Sequence, residues 1–200
     1  MSVDESPKHN VIAEPAWQDY RAAVTKNIPT QWRQWLFDRG SLTQRLKVAS
    51  NGAFRVHICQ QRVQRPQLSE QRLLNMPNRH LAMIREVLLY GNDQPWVYAR
   101  SVLPLSSLTG SQRHLRKLDN RPLGALLFAN PGMRRGAIQI GHINPRNLAL
   151  PDTLGAVDTS LWGRRSLFYI DAKPLLVSEI FLPAFCPYNK PLNSSPRRKR

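Results

Sequence analysis

LAMIREVLLY-GNDQP-WVYARSVL, residues 81–103, reads as two strands and the turn that joins them. Both flanks are rich in branched and aromatic side chains, and Gly91, Asn92, Asp93 and Pro95 supply the turn chemistry between them. On the N-terminal side, Phe54, Val56 and Ile58 alternate with Arg55, His57 and Cys59, the period of a strand with one face toward a core. Beyond the hairpin, Ala137 to Ile143 reads as a strand, and Arg165 to Ile170 folds back on Leu175 to Leu182 around Asp171, Ala172, Lys173 and Pro174. Helical spacing fills the gaps. Pro29 precedes Trp32, Trp35 and Leu36, closed by Gly40, and Ser41 caps a second helix with Leu42 and Leu46 that ends near Gly52. Ser111 caps a helix containing Leu115 and Leu118, and Pro122 opens another through Leu123, Leu126, Leu127 and Phe128. Strands joined by hairpins imply a mostly antiparallel β-sheet with helices packed on one side, an α+β fold.

Two charges interrupt the apolar rows of these strands. Arg85 shares a strand face with Leu81, Met83, Val87 and Leu89, and Glu179 shares one with Leu175, Val177 and Phe181. A charge so placed must meet a partner or stay hydrated, because an unpaired buried charge costs several kcal/mol or more. Either Arg85 and Glu179 pair with each other, or Arg85 pairs with Glu86 or another acid, or both flank a small polar ligand inside the fold. The helix starts after Ser41 and Pro122 leave N–H groups at Leu42, Leu123 and Gly124 without intrahelical partners, which could serve a carboxylate or be solvated.

The chain has 200 residues, 42% hydrophobic and 21% charged, enough for one domain with a packed core. Lys and Arg total 29 against 13 Asp and Glu, a formal charge of +16, so anionic partners are favoured. No apolar run approaches a membrane span, and the start, MSVDESPKHN, has no apolar core of a secretory signal, so a cytoplasmic location is expected. Cys59 and Cys186 fit two reduced thiols, with a disulfide between them left open. Residues 1–14 are expected to be flexible, 15–188 to form the domain, and 189–200 to be a basic, disordered tail. Neither a dinucleotide fingerprint, a phosphate loop, a serine-nucleophile elbow nor a zinc-protease motif occurs, and the histidines lack ligand spacing. His57 and Cys59 on one strand face read as packing, and no metal and no cofactor are expected.

The ordered blocks Ile84-Arg85-Glu86-Val87-Leu88-Leu89, Pro95-Trp96, Ala99-Arg100-Ser101-Val102 with Pro104, and Pro122-Leu123-Gly124 with Leu127-Phe128 resemble bacterial chorismate pyruvate-lyase. So do Leu161-Trp162-Gly163-Arg164-Arg165-Ser166, Lys173-Pro174-Leu175-Leu176 and Glu179-Ile180-Phe181-Leu182-Pro183-Ala184. The similarity runs from about Trp35 to Tyr188. It implies conversion of chorismate into 4-hydroxybenzoate and pyruvate without a cofactor, the first step of ubiquinone head-group synthesis. It also implies an enclosed site under helical flaps from which the aromatic product leaves slowly. Carried onto this chain, Arg85 would bind the ring carboxylate, backbone groups at Leu42 and Leu123 would assist, and Glu179 would hydrogen-bond the ring hydroxyl. Leu42 stands where methionine is familiar, which spares a backbone contact but can alter pocket shape. The stretch from Asn144 to Thr159 looks long for the family, and no catalytic part falls to residues beyond Tyr188.

Chorismate carries two carboxylates, which a positive cavity attracts and an arginine fork can orient. Its hydrogen can pass directly to the enolpyruvyl methylene, or Glu179 can act as base, or a cation such as Arg165 or Arg100 can help the leaving oxygen. Of Arg164 and Arg165, strand alternation lets one reach the pocket, and Arg165 is favoured for the enolpyruvyl carboxylate. Trp162 reads as a packing anchor. One rival reading is a non-catalytic, small-anion-sensing domain of the same fold, for which the short segment before Pro15 leaves no room for a winged helix. A nucleic-acid partner rests on charge alone and is not expected, and a monomer is.

Overall fold

The computed structural model describes residues 14–19 and 27–186. The expected flexible start and basic tail lie outside the described residues, apart from Glu14, whose carboxylate accepts the Leu68 and Ser69 N–H groups at 2.7 and 2.8 Å.

Among the described residues the strands are β1 (Gln18–Asp19), β2 (Phe54–Gln64), β3 (Ala82–Gly91), β4 (Gln94–Pro104), β5 (Arg134–Ile143), β6 (Leu161–Ile170) and β7 (Lys173–Phe181). They form one antiparallel sheet in the order β1-β5-β6-β7-β4-β3-β2. Residues 81–103 do form a hairpin of this sheet, β3 and β4, with a shorter turn than expected. Asn92 and Asp93 alone make it, at φ 50° and 59°, and Gly91 pairs with Gln94. Those left-handed angles match the twist of the flanking strands. Glycine is needed at Gly91, because a Cβ there would stand 2.3 Å from the Trp96 ring. The second hairpin turns on Asp171 and Ala172, with Ile170 paired to Lys173, so β7 begins two residues before Leu175.

The helices are α1 (Thr30–Leu36), α2 (Leu42–Ala49), α3 (Leu68–Leu73) and α4 (Leu123–Ala129). Ser41 caps α2 as expected, its Oγ accepting the Gln44 N–H at 3.4 Å. The segment assigned to a helix capped by Ser111 is a 3₁₀ turn over Gly110–Arg116, with Leu118 beyond it. Helices α1, α2 and α4 and this turn cover one sheet face in two apolar clusters. One joins Trp35, Leu36, Leu42 and Leu46 to Val87, Val97, Ile140 and Phe181. The other joins Leu115, Leu118, Leu123 and Leu127 to Leu103, Phe168 and Leu175. Trp162 packs at the edge of the first, consistent with an anchor.

The opposite face is covered as well. The short helix α3, which has too few turns to show an apolar period, brings Leu74 onto Ala82, Ile84, Val102 and Leu176. Its first turn is closed by a capping box, in which the Glu70 side chain accepts the Gln67 N–H at 2.8 Å. The long stretch after Asn144 places Leu148, Leu150 and Leu154 on Leu88, Tyr98 and Ile180, on this same second face. Cys59 and Cys186 are both free thiols.

Candidate active site

Between the two apolar clusters of the first face lies a hollow whose charged lining is three arginines and one glutamate. Strand register explains its shape. Val87, Ala99, Glu179 and Arg164 are successive cross-strand neighbours on β3, β4, β7 and β6, and Arg85, Ser101, Val177 and Ser166 form the adjacent row. Arg85 and Glu179 therefore stand two strands apart and one row out of line, roughly 12 Å at the backbone. The strand between them contributes only Ala99 and Ser101, so the sheet has room for a ring there. Gly40 of the α1–α2 turn with Leu42 and Thr43 of α2 roof one side, and Pro122 with Leu123, Gly124 and Leu127 of α4 the other. Including its open mouth the recess holds about 520 Å³.

Arg85 and Glu179 do not clasp each other. Arg85 is 1% exposed and has no acid within ion-pair distance among the described residues. Its Nη2 donates to the carbonyls of Asp119 and Arg121 at 2.8 and 3.1 Å, and its buried Nε has no hydrogen-bond partner among the described residues. Burial pulls its pKa below the ordinary arginine value, with no carboxylate to counter it. Glu86, offered above as a partner, points to the other face and pairs with Arg100. Glu179 is held by Arg164, whose Nε donates to Oε2 at 2.6 Å while Nη1 donates to the carbonyls of Trp35 and Asp38 at 2.6 and 2.8 Å.

The expectation for Arg165 is overturned: Arg164 lines the hollow and Arg165 faces away. The physical reason is register. Arg164 is the cross-strand neighbour of Glu179, and alternation then sends Arg165 to the side of Ser178. There Arg165 donates to Gln139 Oε1 at 2.7 Å and to Ser69 Oγ at 3.1 Å, and lies 4.9 Å from the Trp17 ring centre. Arg100 sits on that face too, bonded to Glu70 at 2.8 and 3.1 Å and paired with Glu86. Burial alone would lower the Arg100 pKa, but Glu70 and Glu86 outweigh it and raise it. Neither cation lines the hollow that holds Glu179.

Arg135 was missed. It lines the hollow from β5, with Nε donating to Ser166 Oγ and Nη1 to Asp38 O, both at 3.1 Å. Strict alternation from Ile138 and Ile140 would turn Arg135 to the other face. A register shift between Arg135 and Ile138 inserts an extra residue and brings it back. Leu42 and Leu123 both border the recess, at the first turns of α2 and α4, where N–H groups have no partner within the helix. Leu81, placed with the core row in the sequence, is 42% exposed and precedes β3. No cluster of His, Cys, Asp or Glu suited to a metal occurs among the described residues, and none of their helices is long and apolar enough to cross a membrane.

Residues 12–190 match the family model described as chorismate lyase. A probable chorismate pyruvate-lyase of Methylococcus capsulatus is 43% identical over 155 residues, covering 75% of this chain and 93% of that protein. Another, of Pseudomonas aeruginosa, is 43% identical over 164 residues, covering 82% and 90%. Among solved structures, the ligand-binding domain of a putative GntR-family transcriptional regulator from Bordetella bronchiseptica aligns at TM-score 0.50 and 19% identity. It covers 70% of this chain and 91% of that one, a likeness of fold alone.

Proposed function

The chain belongs to the chorismate lyase family, and we propose that it converts chorismate into 4-hydroxybenzoate and pyruvate by cofactor-free elimination in the hollow under α2 and α4. The observation that carries this reading is Arg85: a buried guanidinium with an unsatisfied Nε and no acidic partner among the described residues, across two small side chains from a fixed carboxylate. Such a charge is costly unless an anion completes it. The ring carboxylate does so, with the Leu42 and Leu123 N–H groups at its side. The ring hydroxyl, para to that carboxylate, meets Glu179, whose direction Arg164 sets. Leu42 differs from the familiar methionine only in side chain, so the backbone contact is kept.

The reaction breaks the bond from ring carbon to ether oxygen and removes the hydrogen on the hydroxyl-bearing carbon. In the direct route that hydrogen moves to the enolpyruvyl methylene through a six-membered arrangement. The methylene becomes the methyl of pyruvate, the ether oxygen its keto oxygen, and the ring becomes aromatic. No protein base is required, and the protein's part is to hold the substrate in the folded conformer that lets the two groups meet. Arg85 and Glu179 grip opposite ends of the ring and so fix that conformer. The enzyme is proposed to act in the cytoplasm as a monomer on this small molecule, supplying ubiquinone head-group synthesis.

The test is to mix purified protein with chorismate in chelator-containing buffer and follow both products. Stoichiometric 4-hydroxybenzoate and pyruvate are expected. Saturable binding of chorismate without products would overturn the reading in favour of an anion-sensing domain.

A further inference from the structure

The substrate has two carboxylates, and the proposed contacts at Arg85 and Glu179 leave the second one unassigned. Three guanidiniums and one carboxylate line the hollow, which matches a dianion in charge once Arg164 is committed to Glu179. We propose that Arg135 forms the subsite for the enolpyruvyl carboxylate, an inference that rests on the lyase reading above.

Position supports it. The Nη1 atoms of Arg135 and Arg164 donate to the same carbonyl oxygen, that of Asp38, at 3.1 and 2.8 Å, so their guanidiniums meet beside the carboxylate of Glu179. The enolpyruvyl ether is on the ring carbon next to the hydroxyl-bearing one. A hydroxyl held by Glu179 therefore directs the side-chain carboxylate toward this end of the hollow, away from Arg85. Chemistry supports it too. Arg135 uses Nε and Nη1 on Ser166, Asp38 and, at 3.5 Å, Gly40, while its Nη2 makes no hydrogen bond among the described residues. No acid lies within ion-pair distance of it among the described residues. Burial and the neighbouring Arg164 lower its pKa to about 10, and Glu179 and Asp38 offset this only in part.

The same contacts tie the α1–α2 turn to β5, so Arg135 could instead serve only as a latch. The product separates the two roles, since 4-hydroxybenzoate keeps the ring carboxylate and hydroxyl but has no enolpyruvyl group. Arg135→Met and Arg135→Lys are to be assayed for chorismate kcat/KM and for 4-hydroxybenzoate Kd, with thermal unfolding as a check on folding. Losing a charge-assisted fork should lower kcat/KM by at least about 30-fold in the Met variant and about 10-fold in the Lys variant, with product Kd within about 3-fold of the parent. If the Met variant does not fold, the Lys variant alone decides. Parallel losses in kcat/KM and product affinity would leave Arg135 a latch, and unchanged kcat/KM would remove it from the site. Failure of the parent protein to form either product would overturn the lyase reading itself, and this inference with it.

Discussion

The two faces of the sheet carry buried charge at the same height, back to back, and treat it in opposite ways. On the second face Glu86, Arg100, Ser178, Arg165 and Gln139 form one cross-strand row, and Glu70 from α3 joins it. Two acids and two arginines balance there, and Arg100 is bonded to both acids. On the first face Arg85 and Arg135 have carbonyls and a hydroxyl as hydrogen-bond partners, and no acid within ion-pair distance among the described residues. The recesses are of similar size, about 450 and 520 Å³ including their mouths. Net charge, not volume, separates the two recesses: two arginines face two acids on the second face, and three arginines face one glutamate on the first.

Substitutions should break this contrast unequally. The largest effect is expected for Arg85→Met. Chorismate kcat/KM should fall by roughly 30- to 3,000-fold, the equivalent of about 2–5 kcal/mol for truncating a buried charged contact. The unfolding midpoint should hold or rise, because an uncompensated buried charge has gone. A large drop in stability would instead place Arg85 among the structural charges. Next, Arg100→Met should destabilise the fold by about 3–5 kcal/mol, since it strands Glu70 and Glu86 without a cation. Urea titration would measure this, while kcat per folded molecule should stay within a few-fold of the parent.

Glu179→Gln comes third. A positioning role predicts a loss of about 10- to 100-fold in kcat, the scale of one hydrogen bond to a charged group, with an unshifted pH profile. A loss of several orders of magnitude with a shifted profile would make Glu179 the base. The smallest effect is expected for Arg165→Ala, under about 3-fold in kcat/KM, because its contacts all lie on the second face. A large loss there would contradict the assignment of Arg164 to the site.

The sequence announces one face better than the other. Arg85 and Glu179 are legible because each is a lone charge in an otherwise apolar alternating row, and Leu42 and Leu123 because Ser41 and Pro122 mark helix starts. Which of Arg164 and Arg165 enters the site depends on the phase of β6. That phase is set by pairing with β7, a long-range fact, and not by the strand's own residues. Arg135 was hidden by the bulge at Gly136 and Ala137, which inverts the parity of β5. The balanced cluster was hidden because Glu70 comes from a six-residue helix whose N-cap, Gln67, is not one of the usual capping residues.

The most direct test of the account is calorimetric titration of 4-hydroxybenzoate into the parent protein and Arg85→Met, with equal folding shown by thermal unfolding. An anion site completed by its ligand predicts tight binding to the parent and at least about 30-fold weaker binding to the variant. Equal affinity in both proteins would contradict it, and would mean that the buried guanidinium of Arg85 is not what holds the ring carboxylate.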